Sequence, residues 1–429
     1  MLAPRLASYL KHLGIHYAWV IAALTFLAML VTSAALGLPG ALMQPLSQEF
    51  GWTTTELSSV FAIRFALYGL LGPFAAMVLM RYGVSRMVAV AAAVIASALL
   101  LGVFMRSLGQ AFALWGLLLG VGTGLTAMVL GATVANRWFV QRKGLVMGLL
   151  AGSSATGQLV FLPLVVWLIE QYGWRWALAP VIAASLLVFV LMLLFMRDHP
   201  SDLDLNAYGA PSDVKVQPAA ARADWGLPLR TLASAVKVPS FWVLAASFFI
   251  CGLSTNGLIQ THFISLCGDN GLGPVPAASV LSMMGLFDLV GTTLSGYLSD
   301  RYDSRKLLFW YYGLRGLSLF WLPYSTYSLY GLSLFAMFYG MDWVATIPPT
   351  VKLAAQEFGK ERAGMVFGWV FAAHQLGAAT AAYGAGLTRT LLLTYNPALF
   401  TAGAACLLAA AAVLMIRLRS RPMALTAAA

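Results

Sequence analysis

Arg142-Lys-Gly-Leu-Val-Met-Gly148 returns 220 residues later as Arg362-Ala-Gly-Met-Val-Phe-Gly368. The same offset places Gly37-Leu38 on Gly257-Leu258, Glu49-Phe-Gly51 on Asp269-Asn-Gly271, Arg81-Tyr82 on Arg301-Tyr302 and Gly120 on Gly340. One offset kept without a gap from the first of these pairs to the last is the mark of a duplicated unit. Each copy of that unit holds six apolar stretches of the length a membrane crossing needs, about 20 residues. They run roughly over 17–43, 55–79, 87–107, 110–136, 144–169 and 176–196, then 239–265, 275–298, 306–325, 329–351, 363–388 and 395–416. None shows the two-residue alternation of a barrel strand. The expected fold is therefore an all-α polytopic membrane protein, its twelve transmembrane helices arranged as two pseudo-symmetric six-helix bundles. The bundles take residues 1–196 and 239–429, and 197–238 joins them.

Composition agrees with this class and excludes others. Hydrophobic residues make up 60% of the 429 and charged ones 10%, where a soluble chain has about 25% charged. The first apolar stretch is too long for a cleavable signal peptide and lacks a small-residue cleavage site. The net charge of +11 does not read as a nucleic-acid footprint, because of where it lies. With the N-terminus cytoplasmic, 21 of the 26 Lys and Arg fall in inside loops, tails and the linker, leaving Arg106, Arg175 and Arg389 outside and Arg64 and Arg315 within helices. That asymmetry puts both termini in the cytoplasm. Short external loops without an Asn-x-Ser/Thr sequon point to a bacterial inner membrane. Three scattered cysteines form neither a disulfide framework nor a metal site. No Walker lysine motif, His-Glu-x-x-His or nucleophile elbow occurs, so neither an enzyme nor a cofactor or metal is expected. The linker carries five Asp and five Lys/Arg, and Pro228 to Val238 suits a short amphipathic surface helix.

Parallel repeats of this kind bind substrate near the midplane between the bundles, and rocking of the halves exposes it to alternate sides. At this level the residues resemble the major facilitator superfamily. Gly296-x-x-x-Asp300-Arg301-x-x-x-Arg305-Lys306 is similar to its signature between the second and third helices of a bundle, with Asp303 where the family has Gly. The first-half copy keeps Arg81, Gly83 and Arg86 but has Met80 in place of the acid. The resemblance implies that Arg81, Arg86, Asp300, Arg301 and Arg305 serve a cytoplasmic gate. Arg137-Trp-Phe139-x-x-Arg142-Lys143-x-Leu145-x-x-Gly148-x-x-Ala151-Gly152-Ser153-x-x-x-Gly157 resembles the fifth-helix entry of the monocarboxylate and oxalate/formate branch. That branch implies small carboxylates, often moved with a proton, and an Asp-x-x-x-Arg in the eighth helix. Asp288 matches the acid; Thr292 stands where the branch has its arginine.

Ionisable groups in the middle of a bilayer cost at least about 2.5–3.5 kcal/mol each and are functional candidates by default. Asp288, Arg315, Asp342 and His374 fall near the centres of segments 8 to 11, and Arg64 outward of the centre of segment 2. Tyr68 is the repeat mate of Asp288, and Arg64 lies four residues before it on the same helix face. If Asp288 faces the cavity, as the resemblance implies, Arg64 and Tyr68 face it from the other bundle. Arg64 then reads as the substrate's cationic anchor, as one partner of a charge pair between bundles, or as unrelated structure. Asp288 reads as the proton-coupling site or as a permanently ionised partner. His374 reads as an anion or proton ligand or as a packing histidine. Arg315 suits a structural pair, with Asp342 either its partner or a second proton-coupling acid. Asn256-Gly257 and Gly37/Pro39 carry helix breakers at matching positions, a pointer to a binding site, and Gln158 suits a hydrogen-bonding role. The expected substrate-binding set is Arg64, Tyr68, Gln158, Asn256, Thr292 and His374. The expected activity is secondary transport of a small organic anion coupled to protons or a counter-anion, by a monomer in the lipid bilayer. The alternative is proton-driven export of drugs or neutral metabolites, for which aromatic residues such as Trp343 and Trp369 speak.

Overall fold

The computed structural model describes residues 2–126, 129–211 and 225–416. Its long helical passages are α1 (Ala18–Phe50), α2 (Thr54–Tyr82), α3 (Val84–Gly102), α4 (Leu108–Trp138), α5 (Lys143–Tyr172) and α6 (Trp174–Phe195) in the first half. The second half has α7 (Pro239–Asp269), α8 (Pro274–Arg301), α9 (Ser304–Trp321), α10 in two pieces (Leu329–Asp342 and Ile347–Phe358), α11 (Lys360–Leu392) and α12 (Asn396–Val413). Moved along by 220 residues, the bounds of α1 to α6 fall within three residues of those of α7 to α12. Eight of the passages are long and apolar enough to cross a membrane by length and composition alone. The others are more polar or divided, as in α10, or, like α5, include residues whose side chains are not described.

Local chemistry sets the ends. Thr53 and Glu56 form a reciprocal capping box at the start of α2, as Ser107 and Gln110 do for α4. Gly51 takes the left-handed conformation that closes α1. A short helix, Leu2–His12, precedes α1, and another, Leu227–Ala235, lies where the linker has its amphipathic run.

The repeated glycine is a packing device. A Cβ on Gly120 would lie 3.2 Å from the Arg64 Cα, and one on Gly340 would lie 2.5 Å from the Met284 carbonyl oxygen; Arg64 and Met284 are repeat mates. Small residues therefore bring α4 onto α2 and α10 onto α8 in the same way. Gly291 of α8 meets the backbone of Met341 so closely that a Cβ there would collide with its carbonyl oxygen. Gly291→Ala is expected to destabilise the protein by about 1–3 kcal/mol, through overpacking against backbone that cannot yield. A fall in the thermal unfolding midpoint of detergent-solubilised protein measures it.

The halves meet along α2–α11 and α5–α8. At the face opposite the two termini they close on one another. Thr55 of α2 donates to the Gly386 carbonyl and the Thr390 hydroxyl of α11, at 3.2 and 2.8 Å. Gly40 lets α1 touch the backbone of Gln260 in α7. Each first helix is also tied at this face by an ion pair at 2.6 Å, Glu49–Arg175 in one half and Asp269–Arg389 in the other. The terminal face carries no such set of bonds between halves among the described residues, and the cavity opens towards it.

Candidate functional site

A cavity of about 520 Å³ lies between the halves, walled by α1, α2, α4 and α5 on one side and α7, α8, α10 and α11 on the other. Its inner end is bounded by Ser33, Leu36 and Gln260; Gly144 and Gly296, near the terminal-face ends of α5 and α8, form its rim.

Asp288 stands on its α8 wall, 8% exposed. Its carboxylate accepts from the Thr292 hydroxyl one turn on and from the Val344 N–H of α10, both at 2.9 Å onto Oδ1. Both donors are neutral. The Val344 N–H is available because α10 breaks at 343–346. The cause is Pro348-Pro349: neither proline has an N–H for the carbonyl four residues earlier, and their rings crowd the preceding turn. One carbonyl so released, that of Ala345, is taken by the Ser295 hydroxyl of α8 at 2.5 Å. The proline pair is the signal in the sequence for this break, one that apolar length and charge do not carry.

Arg315 approaches the same break from α9, behind the wall. Its Nε donates to the Asp342 carboxylate at 2.6 Å and its Nη2 to the Asp342 carbonyl at 2.5 Å. Nη1 donates to the thiol sulfur of Cys251 at 2.9 Å, and that thiol contacts the Thr346 hydroxyl. Asp342 is thus the ionic partner of Arg315, as one of the two readings had it, and is not among the residues lining the cavity.

Arg64 is 1% exposed and does not line the cavity either. Its guanidinium turns into α1 and donates to the carbonyls of Ala35 and Leu36 at 3.2 and 3.1 Å, between the rings of Phe61 and Phe65. Pro39 explains the first bond: lacking an N–H, it leaves the Ala35 carbonyl without its helical donor. Leu36 does line the cavity, so Arg64 stands one layer behind the wall. It has no ionic partner among the described residues, and its Nε has no hydrogen bond.

Tyr68, Asn256, Thr292 and His374 all line the cavity. His374 stacks on Phe371 with rings 5.6 Å apart and contacts Phe248, while Tyr68 meets Phe371 edge-on. Gln375, next in sequence, lines it as well and packs against Gly69 of α2. The expected break at Asn256 is a π-helical stretch, Leu253–Gln260, whose Asn256 carbonyl accepts from the Thr261 hydroxyl. Its expected counterpart in α1 is absent: the helix runs through Gly37 and Pro39, since Arg64 satisfies the carbonyl that the proline frees. The side chain of Gln158 lies outside the described residues. Among the described residues the lining is therefore aliphatic, aromatic and neutral-polar with one formal charge, Asp288.

The loop residues at the terminal face make their contacts within their own halves or with the linker. Arg305 pairs with Asp303 at 2.6 Å and donates to the Ile416 carbonyl. That hydrogen bond from Arg305 holds the Asp303 carboxyl below the usual range. Asp303 also caps α9 by accepting the Arg305 N–H. The first half obtains the equivalent cap from the linker: Asp198 accepts the N–H of Ser85, the repeat mate of Arg305, and fills the space beside Gly83, the mate of Asp303. Arg81 lies over Tyr82 and Trp225, and Arg301 over Tyr297. Arg86 and Asp300 are exposed and make no ion pair among the described residues.

The family model described as Major Facilitator Superfamily matches residues 24–382 and 263–428. Monocarboxylate transporter 13 of Rattus norvegicus is 30% identical over 74% of this chain and 69% of its own length. The MFS-type transporter YcxA of Bacillus subtilis (strain 168) is 23% identical over 80% and 82%. Among solved structures, a D-xylose-proton symporter superposes with a TM-score of 0.70 at 16% identity, covering 93% of this chain and 98% of that one.

Proposed function

We propose, on the premise that the chain belongs to the major facilitator superfamily, that this transporter moves a small carboxylate together with a proton. The observation that supports this reading is a pair of buried charges, one beside the cavity in each half, that lack ionic partners among the described residues. Asp288 is held by two neutral donors. Arg64 is held by carbonyls alone. A buried charge without a counter-charge is costly. A proton on Asp288 and a carboxylate reaching Arg64 relieve both costs in one event, which is symport. Relatives named as monocarboxylate transporters favour the same substrate class.

In this scheme Leu36 and its neighbours give way as α1 shifts, and the guanidinium exchanges the Ala35 and Leu36 carbonyls for the substrate's two oxygens. Tyr68, Asn256, Thr292 and His374 surround the rest of the molecule, with Gln158 assigned to the same wall. Arg81, Arg86, Asp300, Arg301 and Arg305 belong to the gate on the terminal face. That face is the cytoplasmic one of a bacterial inner membrane, and the protein acts as a monomer.

Uptake into proteoliposomes tests the anchor, with labelled lactate, pyruvate and benzoate as probes. Arg64→Ala is expected to raise KM at least about tenfold, roughly 1.4 kcal/mol of binding. Arg64→Lys recovers only part, because a point charge cannot replace the fork. Native KM values in both variants rule the anchor out. A second reading, export of a neutral ring-bearing compound, draws on the aromatic lining and the lack of a cation on it among the described residues. It predicts that Arg64 variants leave transport unchanged while Phe248→Ala and Phe371→Ala abolish it.

A further inference from the structure

The ion pair behind the wall is not required by the fold. Arg315 and Asp342 are the repeat mates of Ile95 and Gly122, and in the first half a Cβ on Gly122 would lie 3.0 Å from the Ile95 side chain. The same helix–helix contact is thus made once by an apolar pair and once by a buried ion pair. Burying two charges is expensive, and an apolar replacement of similar volume is often as stable or more so. What the charged version adds is its set of bonds to the α10 break. Arg315 reaches the Asp342 carboxylate, the Asp342 carbonyl and the Cys251 thiol, while Asp288 takes the Val344 N–H two residues on. Trp343, Val344, Thr346 and Ile347, the residues of the break and its exit, all line the cavity.

We propose that Arg315 and Asp342 are positioning residues for Asp288, holding the α10 break in the register that presents the Val344 N–H to its carboxylate. The inference rests on Asp288 being the coupling site. A proton from water in the cavity adds to the carboxylate and removes its charge. The bond from Val344 then loses its ionic strength. The break loses that tie while Arg315 still holds Asp342 and Ser295 still holds Ala345, so the turn between these two anchors shifts and carries Trp343 with it. The titratable groups around Asp288 are Asp342 on α10, Arg315 and Tyr311 on α9, Cys251 on α7 and His374 on α11. α5 presents none to it among its described residues. A break set by paired prolines, held through the Asp342 carbonyl by a cation on one side and through the Val344 N–H by an acid on the other, makes this segment a two-position element.

Trp343 reports the movement without any substrate. Its emission is isolated as the difference between full-length protein and the same protein carrying Trp343→Phe, titrated with pH in detergent. Native protein is expected to show one transition, and Asp288→Asn none. Arg315→Lys keeps the charge but loses the fork, and is expected to displace the midpoint by about one pH unit. The double variant Arg315→Ile, Asp342→Gly copies the first half's contact; it is expected to melt like the native protein and yet lose the transition. If both Arg315 variants titrate as the native protein does, the two residues only support the fold and this inference fails, while coupling by Asp288 stands. If Asp288→Asn still titrates, the proton goes elsewhere and both readings fail. A native protein without any Trp343 transition also overturns the inference, and uptake by Asp288 variants then judges coupling separately.

Discussion

Asp288→Asn protein is expected to exchange substrate across a liposome membrane but not to accumulate it when a pH gradient is the sole driving force. The substitution is chosen because Asn is the neutral isostere of protonated Asp288, and its amide oxygen can still accept from the Thr292 hydroxyl and the Val344 N–H, so the wall stays in the arrangement of the protonated state. What disappears is the group proposed to take up and release a proton. One pH unit is worth about 1.4 kcal/mol per proton, so one-to-one coupling sustains about tenfold accumulation in native protein. The variant should give a ratio of about one, with equilibrium exchange of labelled lactate within a few-fold of native. Gradient-driven accumulation by the variant would remove Asp288 from the coupling role. Loss of exchange as well would show that the carboxylate binds substrate or supports α10, which the Trp343 titration distinguishes.

The second large effect is on stability. Arg315→Met alone is expected to cost about 3–5 kcal/mol, since it strands the Asp342 carboxylate in the protein interior without its counter-charge. It also leaves the Asp342 carbonyl at the α10 break without its donor. The double variant Arg315→Ile, Asp342→Gly should recover most of that loss, because the first half makes this contact with Ile95 and Gly122. Thermal unfolding of the three proteins in detergent measures both. Arg315→Met melting as native would mean that the pair contributes nothing. A double variant as unstable as the single one would mean that the bonds to the break, rather than the charges, hold this region.

Much of the candidate site could be read as a set of positions. Asp288, Tyr68, Asn256, Thr292 and His374 were expected at the cavity and line it. Charge in an apolar helix is conspicuous in sequence, and the repeat indicates which face it occupies. Arg64 shows where this reasoning stops. Its helix face is the one expected, yet its long side chain bends back to α1, where Pro39 has left a carbonyl without a donor. A helical wheel gives the direction of a Cβ, not the resting place of a guanidinium four bonds further out. The gate residues stop at the same point: Asp198, far along the chain in the linker, supplies the cap that Asp303 supplies locally in the other half.

The class of the protein, its helix positions, its duplication and the location of its buried charges were determined by the sequence alone. These follow from properties that are local or periodic: the length of an apolar run, the cost of a charge in it, and one offset between two halves. The partners were decided only by the tertiary structure. Arg142-Lys-Gly-Leu-Val-Met-Gly148 and its copy establish two matched bundles, but not that Arg315 holds the α10 break while Arg64 fills the gap at Pro39. A freed carbonyl bonds to whichever donor the packing brings within 3 Å or so, and that donor sits on another helix at no fixed distance in sequence.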